Sequence, residues 1–328
     1  MARQLFRKLI LFTVAFTFIV VVVGAFVRLT NAGLGCPDWP GCYGKVTPTR
    51  AADDIAKAVA EQGGTHGPVS LQKAWHEMGH RYLAGMLGLL ILAIAVMAWL
   101  LRQSQGLATA LLALVIFQAA LGMWTVTLLL KPVIVTLHLL GGMATLGLAA
   151  WLALRQTMLP MVGHAASRLR PWALAGLMLL IVQMTLGGWV STNYAALACI
   201  DLPTCHGEWL PRMDFQHGFQ VVRELGHTAA GDKLSYDALT AIHWTHRVGA
   251  VVVTAYLALL VMLAARVDGL RRIATLVGVL LAVQVGLGIA NILTGLKLAV
   301  AVGHNAGAAL LLLALVMLNF VLSKRPRV

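Results

Sequence analysis

Residues 78–101 read MGHRYLAGMLGLLILAIAVMAWLL. These 24 residues carry one formal charge, Arg81, close to one end. As a helix they would be about 36 Å long at 1.5 Å per residue, enough to cross a hydrocarbon core of about 30 Å. Seven further stretches have the same character, at approximately 9–29, 107–130, 133–154, 172–194, 239–265, 270–293 and 298–322. All are continuously apolar rather than alternating, which points to helices and away from a barrel. The whole chain agrees. It is 59% hydrophobic and 11% charged, with mean hydropathy +0.83, where a soluble domain carries about 25% charged residues. The sequence predicts an all-α integral membrane protein with eight transmembrane helices. The first stretch starts basic, with Arg3, Arg7 and Lys8, as a signal peptide would. Its length, and its end at Arg28 without a small-residue cleavage pattern, mark it as a retained span.

The net charge of +13 does not indicate nucleic acid. Thirteen of the 25 basic residues fall on the N-terminal side of an even-span topology, among them Arg102, Arg155, Arg168, Arg266 and Arg271, and only Asp268 opposes them there. The remaining 12 basic residues share the other side with 11 of the 12 acids, mostly in two long loops at 30–77 and 195–238. Topology follows the short loops and flanks. Both termini are therefore expected in the cytoplasm, the long loops outside, and the basic flanks facing anionic lipid. Residues 49–62, with Thr49 as a candidate cap and Ile55 and Val59 on one face, read either as a short amphipathic helix at the interface or as a solvated loop.

The chain repeats itself. His80 and His138 are 58 residues apart, as are His246 and His304, and an offset of 166 relates the pairs. That offset also carries Arg81 to Arg247, Gln118 to Gln284, Gly122 to Gly288 and Lys131 to Lys297. An offset of 163 carries Cys36 to Cys199, Asp38 to Asp201 and Cys42 to Cys205. Each half has four spans, so the two have the same orientation, related by an axis along the membrane normal. The reading is two tandem four-helix bundles, residues 1–156 and 157–328, joined by a cytoplasmic stretch at 155–171.

Ionisable groups inside spans are rare and default to function. Each half offers one His on its second span and one on its fourth, all a few residues inside the outer ends. Two imidazoles on opposite sides of a haem complete six-coordinate iron, and facing bundle helices are a common platform. Copper or zinc would want Cys or carboxylate partners at depth, and none is there. Arg81, Arg247, Lys131 and Lys297 could pair with haem propionates, or snorkel to the headgroups. Gly79, Gly85 and Gly88 could admit a flat macrocycle, but glycine is common in spans and they are read first as close helix packing. The symmetry breaks at Glu77, one turn before His80, whose counterpart is His243. A carboxylate beside a ligand is a candidate acid, base or cation stabiliser, so the halves should not do the same job. The letters HEMGH match a metalloprotease motif, but the second half has no such match. The four Cys are expected outside, where thiols oxidise. Four Cys allow three connectivities, and the duplicated spacing favours Cys36–Cys42 and Cys199–Cys205, as structural bridges or in exchange with a thiol partner.

The stretch Gly24–Gly44, GAFVRLTNAGLGCPDWPGCYG, with Glu77-x-x-His80-Arg81, His138, His246-Arg247, the second Cys pair and His304, resembles the haem A synthase family over nearly the whole chain. The resemblance implies an oxidoreductase of the bacterial cytoplasmic membrane that converts a haem O methyl to a formyl group, making haem A for terminal oxidases. It implies that His80 and His138 hold the substrate haem, that His246 and His304 ligate a resident haem B, and that Glu77 takes part in the chemistry. Haem O synthase and terminal oxidase assembly factors are the implied partners. The competing class is a di-haem b-type, quinone-linked electron carrier, which explains four His equally well but not Glu77.

Overall fold

The computed structural model describes residues 1–64, 66–157 and 164–324. Among the described residues eight helices are long and apolar enough to cross a membrane: α1 Ala2–Leu29, α3 Leu71–Leu100, α4 Gln105–Thr127, α5 Pro132–Arg155, α6 Arg170–Thr192, α8 Tyr236–Ala265, α9 Arg271–Leu293 and α10 Leu298–Ser323. The chain is an integral membrane protein. Two short helices, α2 Ala52–Glu61 and α7 Phe215–Gly218, lie in the long loops. Of the expected link at 155–171, residues 158–163 lie outside the described residues.

Two of the spans, α3 and α8, start where a side-chain cap, not hydropathy, sets the end. The apolar run of α3 begins near residue 78, but the helix begins at Leu71, where Ser70 Oγ accepts from Lys73 N–H at 3.2 Å. Leu71–Glu77 are good helix formers, so a cap upstream recruits them. Glu77 therefore sits inside the helix, not at its edge. Ser235 begins α8 in the same way. Of the two readings of 49–62 the helix forms, as a 3-10 turn, Pro48–Ala51, running into α2. Thr49 does not cap it; the N-cap position is Ala51, without a side-chain bond. Its apolar face packs inward, Ile55 joining Cys36, Cys42, Ala74 and Met78 in one buried cluster.

Helix neighbours repeat along the chain. α1 packs on α3 and α5, and α4 packs on the same two, closing a ring of four. α6, α8, α9 and α10 pack in the same order. Between the rings, α5 meets α10 and α6, and α1 meets α10. Helix α10 is the most enclosed: 72% of its most apolar window is buried, against 17–39% for the others. Its Asn319 donates to Ala173 O of α6 at 3.0 Å, a polar tie in an otherwise apolar core. At the long-loop end, Arg28 of α1 donates to Ser191 O at the end of α6 at 2.6 Å and to the Tyr194 hydroxyl at 2.8 Å. Thr136 of α5 and Thr192 of α6 share a buried hydroxyl contact at 3.2 Å.

Both short connections, Leu128–Lys131 and Thr294–Lys297, turn through left-handed backbone. Leu129 and Leu130 have φ of 51° and 58°; Gly295 and Leu296 have 60° and 62°. The first site does with leucine what the second does with glycine.

Candidate functional site

Two disulfide loops stand over the helix ends. Cys36–Cys42 and Cys199–Cys205 are bonded as the spacing favours. In each loop an aspartate ties the turn: Asp38 accepts from Tyr43 N at 2.6 Å and Gly44 N at 2.7 Å. Asp201 accepts from His206 N at 2.8 Å, Gly207 N at 2.9 Å and the Thr204 hydroxyl at 2.7 Å. The N–H donors are left-handed, Gly44 and Gly207 at φ 69° and 77°, which brings successive N–H groups onto one carboxylate. The Gly207 amide first, then the Thr204 hydroxyl, hold the Asp201 carboxyl well below the usual carboxylate range. A depressed carboxyl contributes above its ordinary titration range and fails as pH falls through its lowered value, so this tie persists until strongly acid pH.

An arginine grips each loop from below. Arg81 Nη1 donates to Asp38 O at 2.8 Å and Gly41 O at 2.5 Å; Nη2 donates to Glu77 Oε1 at 2.5 Å. Arg247 donates to Asp201 O and Thr204 O, both at 2.8 Å, and to Cys199 O at 2.6 Å. The guanidinium forks face backbone carbonyls of the disulfide loops. Lys131 pairs with Glu224, on the second long loop, at 3.0 Å.

Glu77 and His243 are spatial equivalents. Glu77 Oε2 accepts from Cys36 N–H at 2.9 Å. His243 Nδ1 accepts from Cys199 N–H at 3.2 Å. Both are 5% exposed. The sequence comparison gave His243 no role; here it performs the loop-anchoring half of what Glu77 does, without the negative charge. The repeat offsets, applied together to Cys199 and His243, would have found this.

The four repeat-related histidines fall as two pairs. α3 and α5, which carry His80 and His138, are separated by α1 and α4, so the rings come from opposite corners of their ring of helices; α8 and α10, with His246 and His304, stand likewise. Each imidazole lies against a glycine on a neighbouring helix. A Cβ added at Gly24 would stand 3.0 Å from His80 Cε1; at Gly122, 3.1 Å from His138; at Gly187, 3.0 Å from His246; and at Gly288, 3.2 Å from His304. These, not Gly79, Gly85 and Gly88, are the close-approach glycines. A Cβ at any of the latter three meets nothing within 4 Å, so the packing expected there is absent. The Nδ1 atoms of His80, His138 and His304 are buried without a partner. Gln183 Nε2 lies 3.0 Å from His246 Nδ1. Among the described residues no group of three or more His, Cys, Asp or Glu converges as a metal-ion site; the imidazoles stand two by two.

Residues 7–316 match the family described as cytochrome oxidase assembly protein. A protein named haem A synthase from Shewanella oneidensis is 42% identical over 318 residues, covering 94% of both chains. Proteins of the same name from Rhizorhabdus wittichii and Halalkalibacterium halodurans are 29% and 26% identical, covering 97% and 94% of this chain and 94% of each of theirs. The chain belongs to the cytochrome oxidase assembly protein family, the family of the haem A synthases.

Proposed function

We propose that this protein is a haem A synthase, an oxidoreductase that converts a methyl group of haem O to a formyl group. One observation carries the reading beyond family membership: Glu77 stands where the repeat-related site has His243. A symmetric electron carrier has no use for a single carboxylate beside one of four equivalent imidazoles. The donor set fits haem. Two buried imidazoles from opposed helices, with Nδ1 unpaired in His80, His138 and His304 and glycines admitting the rings, suit axial ligation.

The N-terminal half, residues 1–156, would take haem O between His80 and His138. The C-terminal half, residues 157–328, would hold haem B between His246 and His304. Lys131 and Lys297 lie seven residues, about 10.5 Å along the axis, from His138 and His304, on the same helix face. Both occupy helix N-cap positions, where a cation opposes the macrodipole but free N–H groups attract anions. That combination suits a propionate at Lys297; at Lys131 a propionate would share the ammonium with Glu224. Arg81 and Arg247 would act there at second hand, by fixing the loops. Both termini would face the cytoplasm and the disulfide loops the outside, where a thiol partner could reach them. Haem O synthase would supply the substrate and terminal oxidase assembly would consume the product.

The net change is R–CH3 plus water to R–CHO, releasing four electrons and four protons. Two rounds each remove two electrons from the carbon and add water, and the gem-diol then loses one water. Glu77 supplies a fixed negative charge beside the developing cation and accepts the proton released when water adds. Each of its oxygens already takes one donor, Cys36 N–H or Arg81, which orients the carboxylate and leaves further lone pairs free. Haem B, when bound, supplies one-electron relay chemistry towards an external electron acceptor. The mass of haems extracted from the purified protein tests the reading. Haem O or haem A beside haem B is expected; haem B alone would favour the di-haem b-type carrier.

The glycines give a second expectation. Gly187→Val would drive a branched side chain into His246, and overpacking of this kind costs about 1–3 kcal/mol. The ring should yield before the helix does. Haem affinity of the C-terminal half should fall about 10–100-fold, the range for disturbed ligand positioning, read as haem content after gel filtration. Unchanged content would show that the ring does not need this contact.

A further inference from the structure

Three of the four histidines have an amide beside them. Gln118 Nε2 of α4 donates to His138 O at 2.6 Å. Gln183 Nε2 of α6 donates to His246 O at 2.9 Å and reaches its Nδ1 at 3.0 Å. Gln284 Nε2 of α9 lies 3.4 Å from the His304 ring. Each carboxamide fills space left by a glycine three residues after its histidine, Gly141, Gly249 or Gly307; a Cβ there would collide with the amide oxygen. Glutamine and glycine make a lock and its seat.

His80 has neither. The offset of 163 puts Val20 where Gln183 stands, and the offset of 166 puts Leu83 where Gly249 stands. Both belong to the apolar cluster of Phe6, Leu87 and Ile91. A glutamine could not seat against Leu83, and among the described residues no amide reaches the His80 carbonyl or ring; its Nδ1 is buried without a partner, as are those of His138 and His304. Gly24 is its one close constraint of the kinds seen at the other three.

We infer that Gln118, Gln183 and Gln284 are positioning residues that fix the helix turns carrying His138, His246 and His304, through the glycine seats and the His138 and His246 carbonyls, and that His80, which has no such seat, is the exchangeable ligand. This rests on the reading that each half holds a haem and the N-terminal half the substrate. A substrate must leave in every cycle and a cofactor must not. Fixing an imidazole in its bound pose removes an ordering cost from ligation. Partners of ligating histidines are worth about 10–100-fold in affinity. One locked and one unlocked imidazole give a haem that stays oriented yet can depart; two locked ones give a haem that stays.

The test uses the full-length protein with its bound haems and an excess of apomyoglobin as scavenger. Release should be biphasic, the fast phase from the N-terminal half; His138→Ala and His304→Ala assign the phases. Gln183→Val should accelerate the slow phase about 10–100-fold and open the reduced C-terminal haem to carbon monoxide, a low-spin to five-coordinate change that general loosening of the fold would not confine to one half. Val20→Gln with Leu83→Gly should slow the fast phase by a similar factor. If that double variant does not accumulate, Gln183→Val and Gln118→Val decide, each expected to accelerate its own half alone. Rates indifferent to the glutamines would overturn the inference. The mass of the released haem separates this from the functional reading: if the fast phase carries haem B, the halves are assigned the wrong way round, while the lock rule still stands or falls on the rates.

Discussion

Glu77→Gln is expected to leave haem loading intact and to cut haem A formation at least about 100-fold, the lower range for removing a positioned acid–base group. The amide is the right probe because Glu77 does two things. Its Oε2 accepts from Cys36 N–H and its Oε1 receives Arg81. Alanine would strand both donors in a buried site, costing about 1–3 kcal/mol for each unsatisfied group, and would confuse chemistry with a loosened loop. Glutamine keeps an acceptor for the Cys36 amide and removes the charge and the basicity; Arg81 loses the Oε1 acceptor but keeps its Nη1 bonds to the Asp38 and Gly41 carbonyls. The measurement is the ratio of haem O to haem A extracted after expression with excess haem O. A wild-type ratio would remove Glu77 from the chemistry and leave it an anchor, the role His243 has in the other half.

His304→Ala should empty the C-terminal half while the protein stays folded. The ring sits on α10 against Gly288, with Gln284 at its side. On the proposed reading its loss would remove one of two axial ligands and leave the amide unpaired. The helix itself should hold, because its buried face is formed by residues such as Leu311, Leu315, Leu318 and Val321, well beyond the site. The haem-to-protein ratio is expected to drop by one, the surviving haem being that of the N-terminal half. Haem A formation should stop for want of an electron path. Retention of both haems would show that His304 is no ligand.

The spans and the disulfide pairing were legible because each leaves a mark that lipid does not erase: a run of apolar residues, a repeated spacing. Neighbour relations were not. In a membrane both lipid and protein are apolar, so a helix shows no polar face opposite its packed one. Nothing in Leu298–Ser323 says that this helix has neighbours in both halves. The roles of Arg81 and Arg247 were hidden for another reason. A guanidinium suits carboxylates and carbonyls alike, and only the folded loop shows that carbonyls reach it first. Gly122 was visible as a repeated position, but its meaning, a seat for the His138 ring, depends on which helix lies alongside.

The central place of α10 has a consequence for how the molecule is made. It is the last long helix in chain order, and it fills the space between α1, α5, α6 and α9. Until residues 298–323 have entered the bilayer, α1 and α5 lack a contact surface that the finished protein provides. The two halves, although repeated in sequence, are therefore not successive independent acts of assembly. Membrane insertion can proceed helix by helix, but the first half reaches its final packing only when the second is complete. A ribosome halted before α10 leaves behind not one finished half and one unfinished one, but two unfinished halves, both open to membrane proteases.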